Sequence, residues 1–280
     1  MEKLGEKVVP YLEPYLNDEN NVVKREAVLL AVRIGGEKSL AMVALAFQKF
    51  PLPLRKIVAD NLYANYSKNR RYSSDAENPS PEKIAARPQI GVGLQELAKS
   101  GRSNVGIVFL LANFSGDETE RILRSLITDE KLRADENDHL EDGKNIKLAA
   151  AIVLANSSDR EAAQFLSEKI EKKHAETLTF LLENVVEIES RETLAALSKT
   201  LDDQTIIVGG TTPTEFRKKL SLPKGMYADP PPRRRVCDLA VNSFVKKFDL
   251  KIAFRLHTTK YSGTQIAEVR ELLNKTLAAK

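Results

Sequence analysis

At 280 residues, 42% of them apolar and with a net charge of +4, the chain is long enough to bury a core, and its total charge singles out neither nucleic acid nor membrane. The lone cysteine, Cys237, excludes an internal disulfide framework and a cysteine-based zinc site, and reads as a small buried helix residue. Few aromatics and no Trp suit a thin two-layer helical structure, and no run reaches the roughly 18 uncharged apolar residues that a membrane span needs.

Met1 leads directly into a charged amphipathic segment, so no signal peptide is expected. A soluble, cytoplasmic location is favoured, with an exported form whose leader has been removed left open. Leu4, Val8, Leu12 and Leu16 fall at helical spacing in residues 3–16, an N-terminal cap helix shortened or kinked by Pro10 and Pro14. Asn20 or Asn21 caps a helix over 22–34, which stops at Gly35-Gly36, residues suited to a left-handed helix end. Residues 37–50 form the next outer helix, Pro51 and Pro53 break it, and 54–67 form its inner partner.

Residues 68–86 are rich in Ser, Asn, Pro and charge and read as an insertion. Ser80-Pro81-Glu82 starts an outer helix that runs to near Gly101, and 104–115 form its inner partner. Asp117 with Glu120 makes a capping box for a helix to Thr128. The acidic stretch 129–143 lacks the ligand spacing of an EF-hand and reads as a solvated loop. Residues 144–156 hold an unbroken apolar run from Leu148 to Ala155, so this helix must be buried on nearly all sides.

Ser158 and Glu161 supply another capping box, for a helix with Ala162, Phe165, Leu166 and Ile170 on one face; its partner covers 175–188. Arg191-Glu192-Thr193-Leu194 restates Arg160-Glu161-Ala162-Ala163 after 31 residues. Residues 204–232 are the longest non-repeat stretch, with Ile206-Ile207-Val208 bounded by Gly209-Gly210, a short basic helix opened by Thr212-Pro213-Thr214-Glu215, and a stop at Pro230-Pro231-Pro232. Residues 233–248 form an inner-type helix. Ser262 and Gln265 cap the last one, whose Ile266, Val269, Leu273 and Leu277 make one stripe.

The corner Leu111-Ala112-Asn113-Phe114-Ser115-Gly116-Asp117-Glu118 recurs at Leu154-Ala155-Asn156-Ser157-Ser158-Asp159, at Leu30-Ala31-Val32-Arg33-Ile34-Gly35 and, clipped, at Ala64-Asn65-Tyr66-Ser67. The aligned alanines 31, 64, 112 and 155 lie 33, 48 and 43 residues apart, the period of helical-hairpin solenoids. Asn65-Tyr66-Ser67, Asn113-Phe114-Ser115, Asn156-Ser157-Ser158 and Asn274-Lys275-Thr276 match the glycan sequon; the first three are the corner itself and are read here as helix-end chemistry.

These corners, with Arg235-Val236-Cys237-Asp238-Leu239-Ala240 and Tyr261-Ser262-Gly263-Thr264-Gln265-Ile266, resemble HEAT and HEAT-like (phycobilisome-lyase-type) repeats of bacterial α-solenoid proteins. The resemblance implies an all-α, right-handed α-α superhelix of about five or six hairpins with long inter-helix insertions. On that reading residues 1–280 form a single array: N-terminal repeats over 1–67, an insertion at 68–86, central repeats over 87–203, a loop at 204–232 and a C-terminal cap over 233–280. The resemblance further implies a binding scaffold with its partner on the concave inner-helix surface, and the inserted loops at 68–86 and 204–232 are expected to add to that surface.

Enzymatic branches of that family do not fit. None of His139, His174 and His257 is followed by Glu, as the iron-binding hydroxylase branch requires, and the glycosylase branch uses Trp. No tetrapyrrole-lyase signature is present. Gly101-Arg102-Ser103-Asn104-Val105-Gly106 has one residue too many for a nucleophile elbow, and Gly91-Val92-Gly93 lacks the third glycine of a dinucleotide loop. The expectation is a non-catalytic protein-protein interaction scaffold without cofactor or metal, soluble and lacking a membrane span. Its candidate binding residues are Arg70, Arg71 and Tyr72 at the start of the insertion, and Arg233, Arg234 and Arg235 in the basic C-terminal third. Tyr63 and Tyr66, next to the first group, are equally suited to packing between repeats. The alternative function is nucleic-acid binding through the basic end, with salt-dependent affinity.

Overall fold

A computed structural model of the chain describes residues 5, 7–67, 81–129, 143–208, 234–256 and 260–279. These are mostly helical with one short strand pair, in agreement with the all-α reading. They form two compact units, Met1–Ser157 and Ser158–Lys280, and the division falls at the Asn156-Ser157-Ser158 corner inside the stretch assigned to central repeats.

The first unit contains α1 (Val9–Leu16), α2 (Asn21–Ile34), α3 (Glu37–Phe47), α4 (Leu52–Tyr66), α5 (Pro81–Ala85), α6 (Pro88–Lys99), α7 (Val105–Leu111), α8 (Asp117–Thr128) and α9 (Gly143–Asn156). Two rows result. In one, α2 packs on α4, α4 on α7 and α7 on α9; in the other, α1 packs on α3, α3 on α6 and α6 on α8. Cross-row packing of α1 on α2, α2 on α3, α6 on α7 and α8 on α9 joins them, so each helix buries one stripe against its row and another against the second layer. The first row is the more apolar: every residue of α7 is buried, as is the run Leu148–Ala155 of α9.

Local chemistry sets most boundaries. Asn20 caps α2 by accepting from Val22 N at 2.9 Å, and Asn104 caps α7 by accepting from Ile107 N at 2.8 Å. Gly35 and Gly36 take φ of 67° and 78°, so the turn after α2 needs residues without a Cβ. At the end of α7, Asn113 Nδ2 donates to Leu110 O at 3.0 Å, the helix-end role expected of the corner asparagine.

Several expectations are corrected. The outer helix expected from Pro81 to Gly101 is split after Ala85, because Pro88 opens α6 and disfavours helical backbone at Arg87, whose φ and ψ are −120° and 79°. The inner helix expected over 104–115 stops at Leu111, and the outer helix expected to reach Phe50 stops at Phe47. No side chain caps α8: its N-cap is Gly116 at φ 142°, in place of the Asp117–Glu120 box. Ser158 likewise does not cap α10; it sits at φ 68°, and Asp159 accepts from Ala162 N at 2.9 Å.

The second unit contains α10 (Arg160–Glu171), α11 (Ala175–Glu183), α12 (Arg191–Ser198), β1 (Ile206–Val208), β2 (Arg234–Arg235), α13 (Val236–Phe248) and α14 (Gly263–Ala279). Residues 185–187 and 199–202 are single 3-10 turns, so the helix expected over 175–188 ends early. The helix α13 is the centre of this unit, with Val236 to Val245 all buried and α11, α14 and both 3-10 turns packed on it. The helix expected from Arg233 begins only at Val236, because Arg234 and Arg235 pair antiparallel with β1 instead. The Ser262–Gln265 capping box of α14 is present: Ser262 N donates to Gln265 Oε1 at 2.8 Å, and Gln265 N to Ser262 Oγ at 3.3 Å.

Candidate partner-binding surfaces

Of the basic C-terminal candidates, Arg233 lies outside the described residues, Arg234 is half-buried in β2 and Arg235 is committed within the chain. Arg235 Nε and Nη2 donate to Asp238 Oδ2 and Oδ1 at 2.9 and 2.6 Å, Nη2 also to Tyr261 O at 2.9 Å, and Nη1 to Gln204 Oε1 at 2.5 Å. Asp238 is fully buried and accepts Tyr261 N at 3.0 Å, while the Tyr261 hydroxyl donates to Asn242 Oδ1 at 3.1 Å. One guanidinium therefore ties β1's approach, the start of α13 and the start of α14 together.

The electrostatics are those of a closed structural pair. Burial by itself would raise the Asp238 carboxyl, but hydrogen bonds from Arg235 and from Tyr261 N outweigh it and hold the group below the usual carboxylate range. The same hydrogen bond raises Arg235 further above its ordinary value. Expected as a contact residue, Arg235 has no fork left to offer a phosphate.

Arg70, Arg71 and Tyr72 lie outside the described residues. Their neighbours Tyr63 and Tyr66 take the structural alternative: Tyr63 stacks on Phe109 with centroids 6.0 Å apart and planes 23° apart, and Tyr66 is buried. Gly106 makes this approach possible, since a Cβ there would lie 2.9 Å from Tyr63 Cδ1. Binding on the inner-helix surface also meets a limit, because α7 is buried all round and Leu148–Ala155 of α9 is closed as well. Neither segment offers a side chain to a partner.

An open apolar surface lies instead in the other row, between α1 and α3. A groove of about 340 Å³ is lined by Val9, Pro10, Glu13 and Leu16 of α1 with Asn17 just after it, and by Lys38, Met42, Leu45, Ala46 and Lys49 on the α3 side. Val9, Leu16 and Ala46 are the buried floor, and Leu45 is 63% exposed. On the α3 side Lys38, Met42, Leu45 and Lys49 follow one another at four, three and four residues, one continuous stripe. Lys38 and Lys49 are both exposed and stand at its two ends.

This wall is held from both ends. Arg87 pairs with Glu37 at the first turn of α3. Arg55, 6% exposed on α4, donates through Nη2 to Gln48 O at 2.6 Å and Phe50 O at 3.2 Å, pairs through Nη1 with Glu96 of α6, and lies 5.9 Å over the Phe47 ring. The carbonyls left over where α3 ends are thus satisfied by a buried cation from the neighbouring helix. The face away from the groove also carries apolar surface, with Tyr11 74% and Tyr15 51% exposed on α1.

Sequence reasoning passed over this groove. Its signal is the Lys38, Met42, Leu45, Lys49 spacing, which sets Met42 and Leu45 beside the face that α3 buries through Leu40, Val43, Ala44 and Phe47. Among the described residues no three His, Cys, Asp or Glu side chains group as metal ligands, and no helix is long and apolar enough to cross a membrane. Comparison with family models, curated proteins and solved structures returned no match.

Proposed function

We propose that the protein is a non-catalytic protein-protein interaction scaffold, an α-α superhelix of HEAT-like hairpins that carries binding surfaces on its helical rows. The observation that supports this most is the open groove between α1 and α3, where a rigidly braced helix leaves Leu45 exposed and Met42 half-buried between two lysines. Exposed apolar surface rimmed by polar residues is the kind of surface that partner proteins cover. The two-row packing of α1–α4 and α6–α9, with the period of the corner motif, supports the solenoid part of the reading.

The test is an affinity pull-down with the full chain from the source lysate, with and without nuclease, at low and high salt. A discrete protein retained through nuclease and salt is the expected result. Recovery abolished by nuclease or by salt would overturn the scaffold reading in favour of nucleic acid held through basic residues.

A further inference from the structure

We draw no further inference here: the strongest candidate, the exposed aromatic patch that Tyr11 and Tyr15 make on α1, carries nothing because nothing in the structure shows what covers it.

Discussion

Arg235 and Asp238 form a two-pronged ion pair across the junction of β2 and α13, with N–O distances of 2.9 and 2.6 Å and the carboxylate fully buried. Three residues apart, they close a strand-to-helix corner, and Tyr261 brings the next helix to the same carboxylate.

Removing one partner strands the other. Arg235→Ala or Asp238→Ala should each destabilise the protein by about 3–5 kcal/mol, the cost of an uncompensated buried charge. Urea unfolding followed by circular dichroism measures it. A loss below about 1 kcal/mol, the range of surface pairs, would show that the corner does not depend on this pair.

The same pair dictates an acid limb. Asp238 has a folded-state value below its unfolded one, so its stabilisation is complete above the unfolded carboxylate value near 4 and is lost as pH falls through the lower, folded one. Stability contributed by this site should be flat from neutral pH to about pH 4 and decline below it. An Asp238→Asn variant, destabilised throughout, should show a shallower decline in a pH series of urea midpoints.

Cys237 is buried beside Asp238, and burial, then the neighbouring carboxylate, push its thiol above the ordinary value. A neutral, covered thiol does not attack. In native buffer at pH 8 it should react with a thiol reagent at least a hundredfold more slowly than in denaturant; immediate native labelling would contradict the packing around α13.

Two glycines of α6 separate packing from propensity. At Gly93 a Cβ would lie 2.5 Å from Cδ1 of Phe47, a ring with no exposure; at Gly91 it would lie 2.5 Å from Cδ1 of Phe114, which is partly exposed and can turn away. Alanine in an open helix interior gains about 0.5–1 kcal/mol over glycine. Gly93→Ala should nevertheless lose about 1–3 kcal/mol through overpacking, while Gly91→Ala stays within about 1 kcal/mol of neutral. Equal melting temperatures for the two variants would refute the close approach of α3 and α6.

Asn104 both caps α7 and donates from Nδ2 to Asp60 Oδ1 at 2.5 Å on α4. Asn104→Ala should cost about 1–2 kcal/mol as a lost cap and bond. Asn104→Asp keeps the cap but sets two carboxylates together, so it should be destabilised at pH 7 and recover toward pH 4, as thermal melts at the two values would show.

Helix existence was largely legible in the sequence, because it rests on local facts: the apolar run of α9 and the apolar stripe of α14, Asn20 and Ser262 as caps, and Gly35-Gly36 as a stop. These depend on residues within a turn or two of each other; the exclusion of a disulfide framework needs only the chain's count of one cysteine. Local rules failed where several candidates competed. Asp159 displaced Ser158 as cap of α10, and Gly116 began α8 without any side-chain cap, because the incoming chain's direction selects which residue stands at the helix start.

What only the tertiary structure decided is how each charged or apolar group is spent. Nothing within a turn of Arg235 shows that Gln204 and Tyr261 take its remaining donors, since they lie 31 and 26 residues away. Tyr63 is likewise claimed by Phe109 and Arg55 by Glu96. The groove has the same origin: the stripe Lys38, Met42, Leu45, Lys49 becomes a surface because α1 packs beside α3 without covering it. A stripe in the sequence records only that a residue is apolar; whether it is core or interface depends on how closely the next helix approaches, a distance set by every contact in the layer.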